Sequence, residues 1–185
     1  MNTRLGNENK PILVYGSVMV SSVSSSNAPD PLVRACSLLN KYGVKYMVVG
    51  GHACILHGLV RTTEDVDILV EESKENYRRI ISALSEMEDG AARELTPQDF
   101  QDNLVVKVAD EVEVDVSRRA WKVSYADAMD SACHAEIDGV KIPYAGLKSL
   151  IASKETYREQ DRADLLRLRA LDRIVKANSQ NKEKR

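Results

Sequence analysis

Asp65, Val66 and Asp67 place two carboxylates two residues apart, at what reads as the opening of a β-strand. Side chains at i and i+2 of a strand share one face, roughly 6.5 Å apart. Carboxylates at that spacing can converge on two divalent cations about 3.5–4 Å apart, the separation used in two-metal phosphoryl chemistry. Upstream, Gly50-Gly51 follows the apolar run Met47-Val48-Val49. A glycine pair at a strand-to-helix turn lets backbone amides approach a phosphate closely, and the helix N-terminus adds partial positive charge. Alone, such a glycine step reads as a turn and such an acidic step as a solvated strand end. Here Arg61-Thr62-Thr63 lies between them and adds a cation and hydroxyls, so cradle and carboxylates fall on one stretch, Tyr46–Val70.

The elements that must hold these residues can be read on either side. Asp30 as N-cap, Pro31 in the first turn and a one-sided apolar pattern from Leu32 to Leu39 predict a helix ended by Gly43. Tyr77, Ile80, Ile81, Leu84 and Met87 predict a core-facing helix over Ser73–Met87. Glu88–Asn103 is polar, holds Gly90 and Pro97, and reads as a loop flanking the site. Leu104–Val108 and Val112–Val116 alternate around Ala109-Asp110-Glu111, a hairpin pattern. With Val112, Val114 and Val116 toward the core, Glu113 and Asp115 share the opposite face, and the pattern does not choose between them. Arg118, Arg119, Trp121 and Lys122 form a basic and aromatic cluster at the strand exit, able to hold a triphosphate, a base or an acceptor, or to be a solvated loop. Ser124-Tyr125-Ala126-Asp127 is a capping box, Asp138-Gly139 marks a second hairpin, and helices follow over Leu147–Tyr157 and Asp161–Ile174.

As an ensemble, Gly50, Gly51, His57, Gly58, Arg61, Thr63, Asp65 and Asp67 resemble the motif of the nucleotidyltransferase superfamily typified by DNA polymerase β. The match is to its small bacterial and archaeal branch, which includes AbiEii-type abortive-infection toxins. The resemblance runs from about Pro31 to Ile174 and implies an α/β (α+β) fold: a small mixed twisted sheet, helices mainly on one face, and a C-terminal helical pair. It implies a metal-dependent enzyme that moves an NMP from an NTP to a hydroxyl acceptor, with Asp65, Asp67 and a third acid holding two Mg²⁺ or Mn²⁺ ions. The family's hydrophobic-Asp-hydrophobic step matches Val114-Asp115-Val116, and the shorter side chain of Asp115 also leaves fewer rotamers to freeze than Glu113. Gly50, Gly51, Arg61 and Thr63 would bind the nucleotide. The later steps Leu150-Ile151-Ala152-Ser153-Lys154 and Asp161-Arg162-Ala163-Asp164-Leu165 imply that Lys154 reaches phosphates while Asp161 and Asp164 brace the site. A salt-bridge network of Arg158, Asp161 and Asp164 is the alternative reading of those residues. Many relatives carry Gly-Ser where this chain has Gly50-Gly51. The acceptor (tRNA, protein or small molecule) is open, and a toxin role with an antitoxin partner is implied by the branch alone.

With 43% hydrophobic and 29% charged residues in 185, the chain has the make-up of one globular domain. Its expected parts are an irregular arm (1–28), a core (29–145), a helical part (146–176) and a disordered tail (177–185). A net charge of −2 gives no general attraction to polyanions. Cys36, Cys54 and Cys133 fit neither a disulfide framework nor a zinc site, and His52, His57 and His134 show no metal-ligand spacing. Nothing reaches a transmembrane length, and a cytoplasmic location is expected. Two other classes compete with the enzyme: an NTP-binding sensor or partner module of the same fold, and an interaction protein docking through exposed leucines of the C-terminal helices.

Overall fold

The computed structural model describes residues 30–183 and, before them, only the strands Leu13–Tyr15 (β1) and Val18–Val20 (β2), which pair antiparallel. Apart from those strands, the expected arm over 1–28 lies outside the described residues, as do residues 184–185. The body begins with α1 (Pro31–Lys41), whose first-turn amides at Leu32 and Val33 are capped by the Asp30 carboxylate. Then come β3 (Tyr46–Val48), α2 (Gly50–Leu56), β4 (Val66–Val70) and α3 (Lys74–Leu84), the last capped by Ser73. A 3₁₀ turn at Ala91–Glu94 and α4 (Pro97–Asp102) precede β5 (Val105–Val108) and β6 (Val114–Ser117). The short strands β7 (Arg119–Ala120) and β8 (Val123–Ser124) lead to α5 (Tyr125–Met129) and the hairpin β9 (Cys133–Ile137) and β10 (Val140–Tyr144). Two helices end the chain, α6 (Leu147–Ser153) and α7 (Glu159–Glu183).

Six strands form one mixed sheet in the order β5-β6-β4-β3-β10-β9, with β4–β6 and β3–β10 parallel and the other pairs antiparallel. Because side chains alternate, the register sorts the faces. One face carries Val48, Val66, Ile68, Val70, Val106, Val108, Val114, Val116 and Tyr144, all buried in the same hydrophobic core as α1 and α3. The other carries Asp67, Asp115 and Lys107 in one cross-strand row, then Leu69, Ser117 and Val105 in the next. Central β3 and β4 are covered on both faces, since Met47 and Leu69 are as buried as Val48 and Ile68. The second face opens at edge strand β5, where Val105 and Lys107 are exposed. Helical cover is therefore less one-sided than the sequence reading had it.

Several local expectations change. Glu88–Asn103 is not a loop beside the site: it holds the 3₁₀ turn and α4, and buried Phe100 stacks on Tyr77 of α3 with ring centroids 5.2 Å apart. The β5–β6 connection is wider than Ala109-Asp110-Glu111, because β6 starts at Val114 and Val108 pairs with Val114. The Asp110 carboxylate accepts from the amides of Asp89, Ala91 and Glu111, which ties the open turn to the preceding segment. Helix α6 stops at Ser153, so Lys154 is its C-cap and Arg158 lies before α7; they do not share a helix face. Finally, α7 continues past Lys176 to Glu183, through the stretch read as a disordered tail.

Candidate active site

A cavity of about 560 Å³ opens on the second face of the sheet, and Gly50, Gly51, Arg61, Thr63, Asp65, Asp67, Asp115 and Lys154 all line it. The sequence-predicted residues are thus brought together. The parallel pairing of β4 with β6 sets Asp67 directly beside Asp115, and Asp65 lies one two-residue step back along the chain. Carboxylate oxygens of the three acids lie within 4.8 Å of one another. Glu113 is exposed and lies outside this cluster, its side chain paired with Lys107 at 3.2 Å. An all-oxygen, triply acidic donor set suits a hard divalent cation such as Mg²⁺ or Mn²⁺.

Like charges held this close resist ionisation. Burial raises the pKa of Asp67, and the charges of Asp65 and Asp115 raise it further; the Gly51 amide and Lys154 offset only part of this. Thr63 steadies the neighbouring acid, its hydroxyl donating to Asp65 Oδ1 at 3.1 Å. The sequence reading missed Lys107, whose ammonium lies 2.8 Å from Asp115 Oδ2 and also reaches Glu113. Its bonds to the Asp115 and Glu113 carboxylates hold its pKa above the usual ammonium range. The signal was present in the alternation Val105-Val106-Lys107-Val108, but only the observed register sets Lys107 opposite Asp115.

Both glycines are explained by close approach. Gly50 has φ +59°, and a Cβ there would overlap the Asp67 carboxylate. A Cβ at Gly51 would run into the Thr63 side chain, 2.6 Å from its Cβ, and come 3.2 Å from Arg61 Cζ. The space that a side chain at position 51 would need is already filled by Thr63. His57, also part of the motif, caps α2, and its Nε2 donates to the Ala145 carbonyl at 2.8 Å, tying α2 to the exit of β10. Burial lowers its pKa, and the bond to the Ala145 carbonyl opposes part of that shift.

The C-terminal residues form a second charged group. Lys154 Nζ pairs with Asp161 at 2.9 Å and Asp164 at 3.2 Å, Arg61 Nη1 with Asp164 at 2.6 Å, and Arg158 Nε with Asp161 at 2.7 Å. Three cations meet two carboxylates, so one positive charge is left over. Burial alone would lower the Lys154 pKa, but Asp161 outweighs it and holds it above the usual value. Asp161 is buried too, yet bonds from Thr156, Lys154 and Arg158 keep its pKa below the ordinary carboxylate range. The network reading of these residues is realised, with Lys154 inside it. The cluster after β6 is split: Arg119 and Trp121 line the cavity, while Arg118 donates to the Asn103 carbonyl at 2.9 Å. Cys36 and Cys54 are buried, and burial pushes the Cys36 thiol up to about 12 and that of Cys54 to about 11.

No protein-family model and no curated protein matches the chain. Among solved structures it is similar to an antigenic nucleotidyltransferase-like protein from Paracoccidioides brasiliensis, at 15% identity and a TM-score of 0.49, over 74% of this chain and 72% of that one. It is also similar to a Thermotoga maritima protein provisionally assigned as a nucleotidyltransferase, at 17% identity and a TM-score of 0.42, over 80% of this chain and 89% of that one. At these identities and scores neither assigns a role to any residue. Among the described residues, no helix is long and apolar enough to cross a membrane.

Proposed function

We propose that this chain is a nucleotidyltransferase that moves an NMP from an NTP to a hydroxyl acceptor. The observation that carries the reading is the juxtaposition of three carboxylates within 4.8 Å with a glycine step so close to Asp67 that no side chain fits at Gly50. The acceptor oxygen would form a bond to the α-phosphorus while the bond to the β-phosphate oxygen breaks and pyrophosphate leaves. Asp65, Asp67 and Asp115 would hold two Mg²⁺ or Mn²⁺ ions, which when bound supply neutralisation of phosphate charge and activation of the acceptor oxygen. Backbone at Gly50 and Gly51, with Thr63 and the surplus positive charge of Arg61, Lys154 and Arg158, would orient the triphosphate for in-line attack. Catalysis of this kind is positioning plus electrostatics. The acceptor, whether tRNA, protein or small molecule, and an AbiEii-like toxin role with an antitoxin partner rest on the motif residues alone.

A second reading, a nucleotide-binding module without transfer, is favoured by one observation. Lys107 pairs with the third acid, and Arg61 and Lys154 are already matched to carboxylates. Incubation with labelled NTPs, Mg²⁺ and candidate acceptors separates the two. The enzyme leaves label on an acceptor and releases pyrophosphate, and both products disappear in excess EDTA; a module binds nucleotide and yields neither.

A further inference from the structure

We propose that Trp121 is the stacking platform for the nucleobase of the bound nucleotide, a subsite that rests on the nucleotide reading above and extends it. Beyond Asp115 the chain lays Ser117, Arg119, Ala120 and Trp121 along the same cavity, past a bend at Arg118. The cavity is thus lined by the three acids and two glycines and also by Val105, Trp121 and Tyr157, exposed at 44%, 46% and 81%. Exposed large apolar side chains in a cavity that also holds three acids suit a ligand with an ionic part and a flat aromatic part. Base–aromatic stacking tolerates any base because each has a π-face, and Arg119, which lines the same cavity, can add a cation.

The backbone gives an independent sign. Ala120 pairs with Val123, so Trp121-Lys122 is the two-residue loop of the β7–β8 hairpin. Trp121 has φ +57°, a left-handed conformation that such loops normally give to glycine, asparagine or aspartate. A bulky residue kept in that conformation with half its surface in water is strained without a packing return, a pattern concentrated at ligand sites.

Trp121 is the only tryptophan in the chain, so its fluorescence reports on this subsite alone. The experiment titrates the full chain with Mg²⁺ plus ATP, GTP, CTP or UTP, and separately with Mg²⁺ plus inorganic triphosphate, following fluorescence and calorimetric binding. Nucleotides are expected to bind and quench Trp121, and triphosphate to bind without quenching. Trp121→Gly should weaken nucleotide binding roughly tenfold or more and Trp121→Phe much less, as stacking predicts. Triphosphate affinity should stay unchanged in both, and Trp121→Gly should melt no lower than the parent because glycine relieves the positive φ. Nucleotide affinity unchanged in Trp121→Gly, or lost in step with triphosphate affinity, would overturn the stacking role while leaving the phosphate site standing. A parent chain that binds neither ligand would overturn both.

Discussion

Two groups of charges line the same cavity and are built in opposite ways. Asp65, Asp67 and Asp115 crowd three like charges within 4.8 Å, with partial relief from Thr63 and Lys107. Arg61, Lys154 and Arg158 are instead matched to Asp161 and Asp164 at 2.6–3.2 Å, and Lys154, Asp161 and Asp164 are almost fully buried. Burying charge is costly unless it is paired, so the second group can serve the fold without a ligand. The first keeps an excess of like charge, which a bound cation would offset in the proposed function. The contrast separates a crowded group, proposed to bind, from a matched one: the network ties α7 to Arg61 and Lys154.

The largest effects should come from the acids. Asp65→Asn or Asp67→Asn is expected to lower transfer by about 10²–10⁴, several kcal/mol at 1.36 kcal/mol per tenfold, with folding retained. Asp115→Asn should abolish transfer yet leave NTP binding largely intact, while Glu113→Gln changes the rate by less than about tenfold. The reverse ranking in a single-turnover assay would move the third acid two residues back.

Breaking the network should act on the fold instead. Asp164→Ala leaves buried Arg61 without its partner and Lys154 with one, and a loss on the order of 3 kcal/mol in urea unfolding is expected. An Asp164→Ala chain as stable as the parent would show that the network does not brace the fold.

Lys107 sharpens the comparison from the other side, because it competes with a cation for Asp115. Its side chain is 60% exposed, so Lys107→Met should cost at most about 1 kcal/mol of stability. The same variant should bind Mn²⁺ more tightly in calorimetry; weaker binding would instead make Lys107 part of the cation site.

The smallest effect is in pH and has opposite signs in the two groups. The depressed pKa of Asp161 contributes stability above the unfolded value that is lost as pH falls through the folded one. The raised pKa of Lys154 contributes stability that is fully present below the unfolded ammonium value and is lost as pH rises through the folded one. Asp67 is raised, so its contribution is fully present below the unfolded carboxylate pKa and disappears as pH rises through the folded one. Asp67→Asn should therefore raise the melting temperature of the metal-free chain at pH 7, and a fall would mean that crowding does not strain this site.

Most of the site was legible because one short stretch, Gly50 to Asp67, carries it, and strand alternation passed Asp115 to the same face. What stayed hidden depends on distance and register. The pairing of buried Lys154 with Asp161 and Asp164 is one such contact, since spacing in the sequence does not show it. Lys107 was missed because a three-residue turn would set it against Glu113, whereas the wider turn held by Asp110 sets it against Asp115. The order Glu88–Asn103 gains comes from Phe100 on Tyr77, a tertiary contact that overrides a polar composition. On α7, a helix longer than its sequence pattern implied, Leu166 and Ile174 are exposed while Leu168 is buried.

The central claim, that the crowded acids are a nucleotide–metal site, is tested most directly by thermal melting with Mg²⁺ and NTP, in the parent and in Asp67→Asn. At a hundredfold excess over Kd, the parent should rise by about 5–10 °C, and the rise should vanish with EDTA and be largely absent in the variant. No rise in the parent, or an equal rise in Asp67→Asn, would contradict the account.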